Sequence, residues 1–183
     1  DSNSSATISH GLSSAPTFVI VKSINNGTGW PTQAPGYFGF RLDDQSAGNS
    51  GNGNAFFANT APTSSLVTVG DSAEVNDGYN YIMYCFRTIP GYSKVVRYEG
   101  RSQDNKSAPF VYLGFKPKYC IIINGESGSR DKTVWDSERH PINRKNIQLY
   151  INLNNAHDSA SSTSRLDFVS NGVKIRGNNQ KIN

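Results

Sequence analysis

The chain has 183 residues, a net charge of +4, and only 17% charged against 36% hydrophobic and 11% aromatic residues. That length allows a buried core, and low hydrophobicity without high charge argues against disorder. The excess of Gly, Ser and Asn over Ala, Leu, Glu and Lys excludes a helical bundle or coiled coil and points to a turn-rich all-β protein.

No run of about 18 apolar residues occurs, so no membrane insertion is expected. Residues 1–5 lack the basic-then-apolar start of a signal peptide. Lys and Arg are scattered, gathering only around Arg139, Arg144 and Lys145. They read as a solvated surface, and no nucleic-acid partner is expected.

In chain order, residues 18–21 follow Ala15-Pro16 and stop before Asn25-Asn26-Gly27, which predicts a strand. His10, before Gly11, reads as a turn residue capping it. Residues 37–42 form the next apolar segment, and residues 45–54 are expected to be a mobile polar loop. Residues 55–59, 66–69 and 79–88 read as strands. The last is apolar on both faces, which predicts a central strand buried on two sides.

Pro90-Gly91 breaks the chain, residues 92–98 alternate like a strand, and residues 100–107 form a second polar loop. Strands are predicted at 110–115, 119–123, 133–135, 148–153, 165–169 and 173–175. Asn171-Gly172 predicts a two-residue hairpin turn with positive φ at both positions. One helical turn fits residues 156–161. Cys85 and Cys120 lie in apolar runs without CxxC spacing and read as buried free thiols.

Two stretches resemble each other. Gly11, Pro16 and the strand at 18–21 match Gly114, Pro117 and the strand at 119–123. Trp30 then matches Trp135, residues 56–61 match 150–156, and residues 66–69 match 166–169. In the first copy Asp77-Gly78 leads into the strand at 79–86; in the second, residues 178–183 stand in that place. The expected fold is therefore an antiparallel β-sandwich in one domain, built from two related tandem halves at about 6–90 and 91–183. The second half lacks its closing strand. That leaves an open edge beside Tyr119-Cys120-Ile121-Ile122-Ile123, which predicts association with other chains.

Several motifs carry a family resemblance in their order. They are Ile8-Ser9-His10-Gly11-Leu12, Asn59-Thr60-Ala61-Pro62, Tyr81-Ile82-Met83-Tyr84-Cys85-Phe86 and Gly91-Tyr92-Ser93-Lys94. Pro109-Phe110-Val111-Tyr112-Leu113-Gly114, Trp135-Asp136-Ser137-Glu138-Arg139 and Asp167-Phe168-Val169-Ser170-Asn171-Gly172 continue the series. The chain resembles a domain of unassigned function found in tail-fibre and other virion structural proteins of bacteriophages, mainly marine ones.

The resemblance implies a non-enzymatic virion protein, assembled in the host cytoplasm and placed in a tail fibre or receptor-binding appendage. Its implied partners are other virion proteins and a host surface glycan or receptor, with a homo-oligomer, as a trimer, in a fibre. A head-decoration or capsid-associated protein is the structural alternative; a surface-glycan hydrolase is the enzymatic one. The family closes with a Thr-Tyr-Ile-Tyr-like strand that this chain lacks, and it supplies no catalytic residues.

The residues themselves point the same way on chemistry. His10, His140 and His157 fall in no metal-binding spacing, and no P-loop or nucleophile elbow occurs. A glycosidase needs two flanking carboxylates. Asp43, Asp44, Asp136, Glu138, Asp158 and Asp167 are the acids available. Asp136 and Glu138 beside Arg139 make the best pair, outweighed by a solvated-surface reading. No catalytic residue, metal or cofactor is expected. The ligand-binding candidates are Trp30, Trp135, Tyr92, Tyr98, Asp136 and Arg139, because aromatic faces beside polar groups suit sugar rings. Against that stands the preference of tryptophan for the core.

Overall fold

The computed structural model describes residues 4–48, 55–101, 107–126, 128, 130–159 and 163–183. Of the two expected loops, positions 49–54 and 102–106 lie outside the described residues. Thirteen strands are present among those described: β1 (Ala6–Ser9), β2 (Phe18–Ser23), β3 (Pro31–Ala34), β4 (Tyr37–Arg41), β5 (Leu66–Val69), β6 (Tyr81–Phe86), β7 (Phe110–Tyr112), β8 (Tyr119–Ile122), β9 (Thr133–Asp136), β10 (Ile147–Tyr150), β11 (Asp158–Ser159), β12 (Leu166–Val169) and β13 (Gly172–Ile175). Every strand pairing is antiparallel, and the protein is nearly all β.

The chain divides into two compact units, Asp1–Ile89 with Gly125–Gly128, and Pro90–Asn124 with Ser129–Asn183. In the first unit, the sheet β4-β3-β2-β6 faces the two-stranded sheet β1-β5. Alternation along β2 turns Val19 and Val21 inward, and alternation along β5 turns Val67 and Val69 inward. These side chains join Phe56, Phe57 and Val75 in one buried cluster. In the second unit the sheet β11-β10-β9-β8 contributes Ile122 and Trp135 to the core. The sheet β12-β13-β7 contributes Val111, Leu166, Phe168, Val173 and Ile175.

Several details recur in both units. Val19 stands opposite Gln33 and Ile20 opposite Thr32; Cys120 stands opposite Trp135 and Ile121 opposite Val134. Pro31 pairs with Arg41 as Thr133 pairs with Tyr150. A shared turn follows β5 and β13. The Ser72 hydroxyl accepts the Glu74 N–H, its carbonyl accepts those of Val75 and Asn76, and the Asn76 amide donates to the Gly70 carbonyl. In the second unit the Asn179 side chain accepts the Lys181 N–H, its carbonyl accepts those of Ile182 and Asn183, and the Asn183 amide donates to the Gly177 carbonyl.

This register corrects two sequence matches. Trp135 occupies the place of Gln33, three positions from where Trp30 would put it. β5 neighbours β1, and the strand neighbouring β7 is β13, so β12 is not the counterpart of β5. The sheets also end differently. β2 lies between β3 and β6, whereas β8 pairs with β9 and is terminal in its sheet.

Other expectations also change. β6 is terminal, and its Ile82, Tyr84 and Phe86 side chains are exposed; it is not a central strand buried on two sides. Its apolar outer row is continued by Phe18, whose ring meets Phe86 at 6.1 Å, rather than by a covering layer. Residues 55–57 form a helical turn instead of a strand, and Ala58 and Asn59 end it with φ of 50° and 48°. The helical turn expected at 156–161 is absent from its described part, where β11 lies. Residues 94–98 belong to no strand.

Candidate functional site

Of the six candidate residues, one is core and one packs against the core partly buried. Trp135 has no exposed surface, because β9 turns it between the two sheets of its unit, and its indole N–H donates to the Thr133 hydroxyl at 3.2 Å. Tyr98 packs against the same cluster and donates its hydroxyl to the Ile182 carbonyl at 2.6 Å. The Trp135 ring presents no face to a ligand, which corrects its reading as a binding candidate, while Tyr98 is partly buried with its hydroxyl engaged. The cause is ordinary: an aromatic body buries well once its polar tip has a partner.

Burial pushes the Cys120 thiol up to about 12 and raises the Tyr98 phenol above its ordinary value. Both groups are neutral when protonated, so the folded chain holds these protons to higher pH than the unfolded chain does. Their stabilisation is complete below the ordinary thiol value of 9.0 and is lost as pH rises through the folded value. Urea midpoints are therefore expected to hold steady up to about pH 9 and to fall beyond it, with a shallower fall in Tyr98→Phe. A midpoint constant to about pH 11 would contradict this linkage.

Trp30 and Tyr92 are exposed. Trp30 precedes β3, its backbone N–H held by the Asp43 carboxylate at 2.7 Å, and the Lys22 ammonium stands 5.9 Å from its ring centre. Tyr92 follows Gly91, whose φ of 74° makes the turn at Pro90.

Asp136 and Arg139 come together where β9 ends. The Asp136 carboxylate accepts the backbone N–H groups of Glu138 and Arg139 at 2.9 and 2.8 Å, and it forms an ion pair with the Arg139 guanidinium. It is thus an Asx-type turn anchor with its charge matched. Beside it is Tyr119, the first residue of β8 and the direct cross-strand partner of Asp136. Its ring is more than half exposed. Partial burial is the main cause raising the Tyr119 phenol above its ordinary value; Asp136 adds to the rise and Arg139 opposes it. The three side chains form one patch: a flat apolar face with a fixed carboxylate and guanidinium at its edge. Sequence reading placed Tyr119 in an apolar strand and passed over it. The strand alternation was the available signal, since Ile122 turns inward while Tyr119 turns out.

Two further carboxylates named from the sequence, Asp44 and Asp167, serve local structure, and the Asp158 side chain lies outside what is described. Asp44 accepts from the Ser46 backbone at 2.7 Å, and Asp167 pairs with the Arg176 guanidinium at 2.6 Å. Among the described residues, no group of three or more His, Cys, Asp or Glu is placed to hold a metal ion, and no helix is long and apolar enough to cross a membrane. Cys85 and Cys120 are free and half-buried.

A family model described as a domain of unknown function (DUF7483) matches residues 1–183. No curated protein and no solved structure matches the chain.

Proposed function

The chain belongs to the DUF7483 family over its whole length, and from that premise we propose that it is a non-enzymatic structural protein of a bacteriophage virion. In this reading it forms part of a tail fibre or receptor-binding appendage that contacts a host surface glycan. The virion assignment, the fibre partners and a trimeric assembly are supported by the ordered motifs from Ile8 to Gly172.

The glycan contact is carried by one observation: the exposed Tyr119 ring beside the Asp136–Arg139 ion pair. A sugar needs an apolar face for its C–H groups and fixed polar groups for its hydroxyls, and the patch offers both. The engagement of Asp136 by two backbone amides and a guanidinium favours binding over acid–base chemistry.

The test is a glycan array probed with the intact chain and with Tyr119→Ala. Saturable binding to a defined glycan set, lost by about tenfold or more in the variant, is expected. Each tenfold loss corresponds to about 1.4 kcal/mol, the scale of one good aromatic contact. Release of oligosaccharide from host polysaccharide, abolished by Asp136→Asn, would replace this reading with a hydrolase.

A further inference from the structure

A groove of about 660 Å3 opens in the first unit between β1 and β6. Its volume falls within the range of about 300–1,000 Å3 typical of ligand clefts. Val21, Val69 and Val75 form the floor, Ile8 stands on the β1 side, and Met83 and Cys85 stand on the β6 side. β1 and β6 are each terminal in their sheets, so an extended backbone laid here would meet a strand edge on either side.

The second unit shows what such a floor accepts. There Val96 and Tyr98 pack against the cluster that contains Ile122, Ile175 and Ile182. Ile122 holds the place of Val21 by strand register, and Ile182 holds that of Val75 in the shared turn. Ile175 ends β13 as Val69 ends β5. A segment outside any strand thus covers this floor, with a β-branched residue and a tyrosine two positions apart. The tyrosine is anchored through its hydroxyl on the Ile182 carbonyl. The segment carries Lys94 and Arg97 against the single acid Glu99, so it is net basic. The groove of the first unit matches that charge, for among the described residues Asp77 is the one carboxylate lining it.

We propose that the groove between β1 and β6 binds an extended basic peptide segment of a partner protein, presenting a β-branched apolar residue and a tyrosine at alternate positions. Alternate side chains enter the groove while the backbone follows an edge strand, the mode by which peptides extend sheets. This inference stands apart from the glycan patch and does not depend on it.

The probe is a fluorescent peptide with the sequence of residues 93–100, titrated with the intact chain. Saturable binding is expected, weakened about tenfold by Asp77→Lys and abolished when the peptide's Val96 and Tyr98 positions carry serine. Cys85 lines the groove, so bound peptide is expected to slow maleimide labelling of Cys85 several-fold and leave Cys120 unchanged. The labelling readout needs no groove variant and does not depend on one folding. Absence of binding at millimolar peptide, equal binding of the serine peptide, or unaltered Cys85 labelling under saturation would each overturn the proposal. Concentration-dependent dimerisation removed by Asp77→Lys, without peptide binding, would assign the groove to a second copy and overturn it equally.

Discussion

Replacing Trp135 by alanine is expected to lower stability by about 3–5 kcal/mol, the usual cost of removing a large aromatic side chain from a core. The side chain has no exposed surface and, with Ile122 of its own sheet, shares a core cluster with Leu166, Phe168 and Ile175 of the other. Its removal leaves a cavity that two strand layers cannot close, and the Thr133 hydroxyl loses its indole donor. Domains are typically stable by only about 5–15 kcal/mol, so the loss is a large share of the total. Trp30→Ala is the matched control. The residue is 37% exposed and belongs to neither core cluster, so a loss of only about 1–2 kcal/mol is expected. Urea unfolding of both variants decides the matter. Equal midpoints for the two would show that Trp135 does not hold the sheets together.

Gly172→Ala is the second large effect. A Cβ at Gly172 would stand 2.1 Å from the Val111 carbonyl oxygen and 3.1 Å from the Phe110 ring. Gly172 pairs with Val169 on one side and Tyr112 on the other, so its neighbours on both sides are backbone. Backbone held in a ladder cannot rotate away as a side chain does. The methyl must push β7 off β13, at an expected cost of about 3 kcal/mol, the upper part of the usual overpacking range. Gly27→Ala meets nothing within 4 Å and is expected to change stability by less than about 0.5 kcal/mol. A near-neutral Gly172→Ala would mean that β7 and β13 sit further apart than described.

The same glycine shows how a correct signal can carry a wrong reason. Asn171-Gly172 announced a hairpin, and β12 and β13 do form one. The turn residues, however, are Ser170 and Asn171, with Val169 facing Gly172. Neither Asn171 nor Gly172 has positive φ. Glycine is needed for close approach to β7, a contact between residues about sixty positions apart that no local pattern reports.

β6 failed for a related reason. Apolar residues on both faces of a strand announce two covered faces only if a second layer exists, and Ile82, Tyr84 and Phe86 have none to cover them. Class, antiparallel pairing and most strands were legible, because alternation and turn residues are local properties. The site was legible only in part. Asp136 and Arg139 were found through the polar run after Trp135. Telling the outward ring of Tyr119 from the inward rings of Tyr98 and Trp135 required knowing which face of each element meets a core.

The pairing of one cysteine with each unit has a kinetic consequence. Cys85 belongs to the first unit and Cys120 to the second, and burial raises both thiols, so neither is a ready nucleophile in the folded chain. Cys85 lines the groove of its unit and is labelled there, whereas Cys120, packed against the core cluster of the second unit, waits on a local opening, so the two rates report separate events. The chain carries its own pair of clocks, one per unit, readable by mass without adding a probe residue. Their ratio across a denaturant series distinguishes units that open together from units that open in turn.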